Sequence, residues 1–217
     1  MATTPWRWTE LIFATRNRHK VKELDAMFRE ALGIRVKGLE GMENLPHIVE
    51  DRETFEGNAV KKAETIAGVL GRPVAADDSG LAVDALQGAP GVYSARYAGP
   101  DATDAENNRK LLMELEGLPE AERKAAFVCA LALAVPGDET RVVRGECPGR
   151  IALRPRGENG FGYDPLFFLP ERGCTMAELP PEVKNQISHR ARATERLIRL
   201  LKETFDFGRF KGRKRKE

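Results

Sequence analysis

The stretch PVAADDSGLAVDALQGAPGVYSARYAG, from Pro73 to Gly99, places two consecutive carboxylates directly after a short apolar run. The segment Val74–Ala76 is typical of the end of a buried strand, and ligands of open α/β sheets collect beyond the carboxyl ends of strands. Because side chains alternate along a strand, we expect Asp77 and Asp78 to face opposite sides, one toward a pocket and the other toward a neighbouring loop. A turn with two solvated acids fits these residues equally well, so other segments must distinguish the two interpretations.

Length, charge and cysteine content restrict the class of protein. A chain of 217 residues with 41% hydrophobic residues can bury a full core. The basic tail, residues 209–217, contributes +5 to the net charge of +2, which leaves −3 for the rest. Three widely spaced cysteines indicate reduced thiols rather than a disulfide framework. The longest apolar run, Ala125–Val135, is too short for a bilayer and MATTPWRW lacks a signal-peptide core, so we expect a cytoplasmic protein without a membrane segment.

A strand, a polar loop and a helix are predicted near the start of the chain. Leu11–Ala14 has the composition of a strand, and apolar residues at helical spacing from Val21 onward end at Gly33. The intervening loop, Thr15–Lys20, lies at a helix N-terminus, where unpaired N–H groups suit phosphate oxygens. An ordinary polar loop is the favoured interpretation of this segment by itself, because a glycine-rich Walker pattern is missing from it.

Acidic residues crowd the approach to a second helix. Ile34–Leu39 is a candidate strand, and the helix is predicted over Thr54–Leu70. Acids at its N-terminal end suit the helix dipole, but one of them facing Asp78 would complete an oxygen-rich cation site, and Glu50 is our choice. Lys62 on this helix is either solvated or within reach of a bound phosphate.

Later segments predict a hairpin, an aromatic loop and a final helix. Ala125–Val135 and Arg141–Glu146 flank a Pro-Gly-Asp turn, with Gly149–Leu153 as a possible extension. The stretch GENGFGYDPLFFLPE, residues 157–171, combines glycines with aromatics on which a planar base could stack, or which could simply fill a core. The helix predicted over Ser188–Thr204 begins with basic residues, which the dipole disfavours there, so they require an anionic or acceptor-rich partner.

Taken together, the motifs resemble the inosine triphosphate pyrophosphatase family, whose members are also called dITP/XTP pyrophosphatases. The resemblance extends from Leu11 to about Phe205 and follows the family's order. Its motifs are T-x-N-x-x-K from Thr15, N-A-x-x-K-A from Asn58, ADDSGL from Ala76, GAPGVYSARYAG from Gly88, GFGYDPLF from Gly160 and SHR from Ser188.

The resemblance implies an α/β fold with an elongated central mixed sheet, flanking helices and two lobes around a substrate cleft. We therefore divide the chain into an N-terminal extension (1–10), a single domain (11–207) and a basic tail (208–217). The family's members are usually homodimers that hydrolyse ITP, dITP and XTP to nucleoside monophosphate and pyrophosphate. The role implied is removal of deaminated purines from the nucleotide pool.

Site roles carried over from the family fall on matching positions of this chain. Asp78 would be the catalytic base, acting on a metal-activated water, and would share Mg²⁺ with Glu50, although Asp51 or Glu53 could replace Glu50. Ser79 would touch substrate. The triphosphate would be held by Thr15, Arg16, Asn17, Arg18, His19, Lys20, Lys62 and Lys184, and the base would be enclosed by Phe161, Gly162, Tyr163, Asp164, His189 and Arg190.

Two other functions stay open at this point. A nucleotide-binding or nucleic-acid-binding module would use the anion-ready loops and the basic tail, whose six basic residues among nine can attract phosphate backbones. A pyrophosphatase for GTP or a modified pyrimidine nucleotide is the nearer rival, because the motifs locate the triphosphate better than they define the base.

Overall fold

The computed structural model describes residues 3–208, so the basic run 209–217 lies outside the described residues. Within them, five helices flank strands of a mixed sheet, which confirms the predicted α/β class. The helices are α1 (Arg18–Leu32), α2 (Phe55–Leu70), α3 (Asp104–Glu114), α4 (Pro181–Ile187) and α5 (His189–Thr204). The strands are β1 (Thr4–Pro5), β2 (Glu10–Phe13), β3 (Arg35–Lys37), β4 (Val74–Val83), β5 (Lys124–Ala134), β6 (Arg141–Ile151), β7 (Phe167–Leu169), β8 (Cys174–Thr175) and β9 (Phe205–Asp206).

The central sheet has the strand order β3-β2-β4-β5-β6-β7-β8. β2 pairs in parallel with β3 and β4, whereas the pairs from β4 to β8 are antiparallel. The predicted hairpin is confirmed as β5 and β6, and β6 continues to Ile151. The mixed sheet therefore has long antiparallel strands at its centre and a short parallel part at one edge.

The strand that carries the two carboxylates is longer than predicted. The strand was predicted to end at Ala76, but β4 continues to Val83 and pairs along its whole length with the apolar strand β5. Asp77 and Asp78 pair with Leu131 and Ala130 in the middle of the ladder, so they do not lie beyond a strand end. Ladder hydrogen bonds from β5 keep this backbone extended although two charged side chains occupy it.

Three hydrophobic clusters surround the long strands. One contains residues of α1 and α5, another contains residues of α2, and the third contains residues of α3, β7 and the far ends of β4 and β5. Along one face of β4, Ala75 belongs to the first cluster and Leu81 to the third. Asp77 and Ser79 lie between them, so a polar stripe separates two apolar regions on this face.

The first helix begins earlier than predicted. The Asn17 side chain accepts hydrogen bonds from the backbone N–H of His19 at 2.9 Å and of Lys20 at 3.2 Å, which caps the helix. Arg18, His19 and Lys20 therefore lie in its first turn, not in the loop. At its other end Gly33, with φ 71°, is the C-cap, as predicted.

The segment before β2 is part of the core. β1 pairs with β9, and the Trp6 side chain is fully buried against Phe205 and Phe207. These aromatic contacts join the two ends of the described chain. Within residues 3–208, none of the helices is long and apolar enough to cross a membrane.

Candidate active site

The alternation of β4 places its two central carboxylates on opposite faces of the sheet, as predicted. Both are buried, with 5% exposure for Asp77 and 7% for Asp78. Asp78 contacts α2, whereas Asp77 contacts the first turns of α1 and α5. Each carboxylate therefore has its own set of partners and its own role.

On the α2 face, two carboxylates meet one ammonium group. Asp78 Oδ2 accepts a hydrogen bond from Asn58 Nδ2 at 2.9 Å, and Asp78 Oδ1 lies 3.7 Å from Lys62 Nζ. The same ammonium donates to Glu50 Oε1 at 2.7 Å. A strand, a helix and a loop thus bring Asp78, Lys62 and Glu50 together, although 12 positions or more separate Glu50 from the other two.

The acids near Glu50 are placed differently. Asp51 accepts from Lys61 Nζ at 2.8 Å, and Glu53 is exposed. Of the three acids considered for a cation site, Glu50 is therefore the one that shares an ammonium contact with Asp78.

Burial raises the pKa of Asp78 above its usual range. The nearby charge of Lys62 and the hydrogen bond from Asn58 act in the opposite direction, while Glu50 and Asp77 add to the increase. A carboxylate with a raised pKa is a better proton acceptor than an exposed one.

On the opposite face, Asp77 contacts two cationic side chains that were predicted to bind substrate. Its Oδ2 lies 2.8 Å from Lys20 Nζ and 3.4 Å from Arg190 Nε, and Ser79 Oγ donates to it at 3.3 Å. Burial by itself would raise the pKa of Asp77, but the charges of Lys20 and Arg190 outweigh it and hold the pKa far below its usual range. Asp77 is therefore ionised and supplies the partner that basic residues at the start of α5 require.

The segment Thr15–Lys20, a candidate phosphate site, contains both side chains that cap a helix and side chains that are exposed. Thr15 Oγ1 accepts from the backbone N–H of Asn17 at 3.2 Å, and Arg18 pairs with Glu40. Arg16 and His19 are exposed. The helix N-terminus and Lys20 thus lie at the same end of α1, where anions are favoured.

The aromatic loop divides into one exposed ring and several packed groups. Phe161 is 64% exposed, with Lys184 Nζ 4.7 Å from its ring centroid. The buried hydroxyl of Tyr163 donates to the Ser94 carbonyl at 2.8 Å, so this ring is part of the core. The buried Asp164 accepts from Phe161 N at 2.9 Å and forms a short ion pair with Lys184.

Gly162 and His189 complete the positions predicted to enclose a base. The Gly162 N–H donates to Asp104 at 2.6 Å. His189 stacks on Phe127 at 5.1 Å between centroids, and its buried Nδ1 has no hydrogen-bond partner among residues 3–208. Burial, followed by the charges of Arg190 and Lys184, lowers the pKa of His189 well below its usual range, so the imidazole is neutral.

Close backbone packing fixes the position of α5. A Cβ at Gly145 would lie 2.3 Å from Ala193 N and from the His189 carbonyl oxygen. Only glycine permits this approach of β6 to the first turns of α5. The location of Arg190 beside Asp77 therefore depends on Gly145.

Sequence reasoning left two contacts unassigned. No role was predicted from the sequence for Asn58, the first residue of the N-A-x-x-K-A motif, or for Glu23, which lies 3.8 Å from Arg190. The position of Asn58 in that motif was the available signal, because Lys62 lies four residues later on the same helical face.

The fold and these contacts define an α/β protein in which charged groups from several elements converge on the middle of a central strand. The sequence model of the Ham1 family matches residues 11–200. The chain therefore belongs to the Ham1 family, which confirms the resemblance predicted from the motifs.

Similar proteins agree in sequence and in structure. The chain is 57% identical to a dITP/XTP pyrophosphatase of Geobacillus kaustophilus over 188 residues, which cover 87% of this chain and 92% of that protein. It is 52% identical to a dITP/XTP pyrophosphatase of Geobacter sulfurreducens, with coverage of 90% and 96%. A solved HAM1 protein from Coxiella burnetii superposes with a TM-score of 0.84 at 42% identity, covering 91% of this chain and all of that one.

Proposed function

We propose that this protein hydrolyses ITP, dITP and XTP to the nucleoside monophosphate and pyrophosphate, and so removes deaminated purine nucleotides from the pool. The enzyme class is nucleoside triphosphate pyrophosphatase, a hydrolase of phosphoanhydride bonds, since relatives with this name are 50–57% identical over most of the chain. The observation that carries the mechanism is the convergence of Asp78 and Glu50 on the Lys62 ammonium.

The same two carboxylates fit a magnesium ion. They already approach one cation from two sides, and Mg²⁺ prefers one or two carboxylates, with phosphate oxygens and water completing its shell. Among residues 3–208, no group of three or more His, Cys, Asp and Glu side chains is placed to hold a metal ion. Asp78 and Glu50 would hold the ion, which neutralises phosphate charge and makes the attacking water more acidic.

Asp78 acts as the general base in this proposal. Its carboxylate would accept a proton from a water placed against the α-phosphate, and Asn58 fixes the orientation of that carboxylate. Ser79 donates its backbone N–H to Asp78 Oδ1 at 3.1 Å, which further limits rotation. These contacts leave the carboxylate one orientation toward the substrate.

The triphosphate is neutralised by lysines and by the N-terminus of α1. Lys62 and Lys20 hold carboxylates on the two faces of β4, and each ammonium can bind a phosphate oxygen as a point charge. Thr15 and the first N–H groups of α1 add donors. Lys184, which pairs with Asp164 and lies 4.7 Å from the centroid of the exposed Phe161 ring, would supply a further ammonium group.

Selection among purines is assigned to Arg190, Phe161 and His189. Hypoxanthine and xanthine carry a carbonyl where adenine carries an amino group, so an Arg190 N–H beyond those that face Asp77 and Glu23 would be satisfied by the first two and left unpaired by adenine. An unpaired buried polar group costs about 1–3 kcal/mol. Phe161 supplies the stacking surface, and the neutral His189 offers one ring nitrogen as donor and the other as acceptor.

Product analysis tests the proposal. The protein is incubated with Mg²⁺ and with ITP, dITP, XTP, GTP or ATP, and pyrophosphate and orthophosphate are measured separately. We expect pyrophosphate from the first three and little from ATP, and we expect Asp78→Asn to abolish it while the exposed control Asp101→Asn retains it. Orthophosphate as the product, or turnover in Asp78→Asn, would refute the mechanism, and preference for GTP would reassign the substrate.

Two expectations about partners remain proposals. Homodimer formation is checked by light scattering on the full chain. Contact of the tail with nucleic acid is checked by salt-dependent oligonucleotide binding before and after removal of residues 209–217.

A further inference from the structure

Asn58 occupies a buried position on the first turn of α2, with 1% exposure. Its Oδ1 accepts a hydrogen bond from the Arg52 backbone N–H at 2.9 Å. Its Nδ2 donates to Asp78 Oδ2 at 2.9 Å and, at 3.4 Å, to the Arg52 carbonyl. The side-chain amide therefore uses its acceptor and both donors, which is required of a polar group buried this completely.

These bonds connect the two proposed metal carboxylates. Arg52 is two residues beyond Glu50, so holding the Arg52 backbone also fixes the loop that presents Glu50. The hydrogen bond from Asn58 Nδ2 fixes the carboxylate of Asp78 on β4. One planar amide thus sets the position of a loop carboxylate relative to a strand carboxylate, and a planar group transmits orientation as well as distance.

Lys62 reinforces the same geometry from one turn further along α2. Residues four apart share a helix face, so Asn58 and Lys62 approach Asp78 from one side. Lys62 contacts both carboxylates as a flexible point charge, whereas Asn58 makes directed hydrogen bonds to rigid groups. Of these two side chains, the Asn58 amide is therefore the one that can specify the orientation of the site.

We propose that Asn58 is a positioning residue, which holds the loop of Glu50 and the carboxylate of Asp78 in the arrangement that metal binding and turnover require. The inference rests on the proposed function. Groups that orient metal-binding carboxylates typically change metal affinity or activity about tenfold to a hundredfold when removed.

A matched control is present in the same chain. Asn107 is also a buried helical asparagine, 3% exposed, whose Oδ1 accepts from Ala98 N at 2.8 Å and whose Nδ2 donates to the Ala95 carbonyl at 3.2 Å. It binds a loop backbone as Asn58 does, but its side chain makes no hydrogen bond to a carboxylate within residues 3–208. Asn107→Ala therefore reproduces the general cost of losing a buried amide.

The first measurement needs neither nucleotide nor metal. The Arg52 side chain is 61% exposed, so trypsin can cleave after it once the backbone is released. We expect cleavage at Arg52 to be about tenfold faster in Asn58→Ala than in wild type, because two backbone hydrogen bonds are lost. Asn58→Asp keeps an acceptor for the Arg52 N–H, so its cleavage rate should stay close to that of wild type.

The second measurement compares binding and turnover. In both Asn58 variants we expect the Mg²⁺ concentration for half-maximal activity to rise and kcat to fall, each about tenfold or more, with KM for ITP at saturating Mg²⁺ changed by less than about threefold. Direct titration of Mn²⁺ into the nucleotide-free protein, followed by its electron spin resonance signal, should show the same loss of affinity. Asn107→Ala should match wild type in all of these quantities.

Several results would overturn the proposal. Wild-type kcat and metal affinity in Asn58→Ala would do so, as would equal losses in Asn58→Ala and Asn107→Ala, since the effect would then be one of general stability. Failure of the wild-type protein to release pyrophosphate would reject the proposed function instead. In that case the trypsin and Mn²⁺ measurements would still decide whether Asn58 orders this site, and if Asn58→Ala does not fold, Asn58→Asp carries the kinetic test.

Discussion

Replacing the two neighbouring carboxylates of β4 one at a time should separate stability from activity. Asp77 and Asp78 are adjacent in the sequence and have similar exposed fractions, 5% and 7%, yet they lie on opposite faces of the sheet. Asp77→Asn removes the charge that neutralises Lys20 and Arg190. Asp78→Asn removes the charge of a carboxyl group whose pKa burial raises, and the single oxygen of the new amide can accept from one of the two neighbouring donors, Asn58 Nδ2 or the Ser79 N–H.

The magnitude follows from what each substitution leaves behind. Breaking a buried ion pair from one side costs about 3–5 kcal/mol, because the remaining charge is uncompensated. Arg190 is 9% exposed, but Glu23 lies 3.8 Å from it and the Lys20 side chain is 25% exposed, so we expect the lower end, about 3 kcal/mol. Asp78→Asn should change the free energy of unfolding by less than about 1 kcal/mol.

Urea unfolding at neutral pH, followed by the fluorescence of the buried Trp6, measures both values. For a chain of this length, a loss of about 3 kcal/mol corresponds to a melting temperature lower by about 6–12 °C. Asp78→Asn should unfold with the wild-type midpoint and fail to release pyrophosphate. Equal midpoints for the two variants, or a larger loss in Asp78→Asn, would refute the assignment of separate roles to the two faces.

Two further predictions concern α5. The pKa of His189 is lower in the folded than in the unfolded chain, so the unfolded state binds more protons below about pH 6.5. The free energy of unfolding should therefore fall as the pH decreases, by up to about 1.4 kcal/mol per pH unit. Urea titrations at several pH values should show a smaller slope in His189→Gln, and identical slopes would contradict this account. Gly145→Ala should cost about 1–3 kcal/mol or more and reduce turnover, because its Cβ must push α5 and Arg190 away from β6. The control Gly68→Ala, which lies exposed in the last turn of α2 and whose Cβ meets no atom within 4 Å, should be neutral or stabilising by about 1 kcal/mol. Wild-type stability in Gly145→Ala would contradict the packing argument.

The sequence predicted the elements whose signals are local. Local signals predicted the helices α1, α2 and α5 to within a few residues, and Gly33 was correctly predicted as the end of α1. Alternation along a strand predicted that Asp77 and Asp78 face opposite sides. The family motifs predicted membership that the comparisons confirm. Each of these signals is carried by residues that are neighbours in the chain, so no knowledge of tertiary contacts was needed.

Tertiary structure decided which groups meet. β4 continues through two carboxylates because β5 pairs with all ten of its residues, and a single-chain pattern could not show that partner. Tyr163 lies in the core because the carbonyl of Ser94, 69 positions away, accepts its hydroxyl. The selection of Glu50 over Asp51 likewise depends on where one loop lies relative to Lys62. The sequence alone determined the residue types and the helical and strand periods. The ion pairs and hydrogen bonds between distant segments were decided only by the tertiary structure, because Coulomb and hydrogen-bond energies depend on distances that packing fixes.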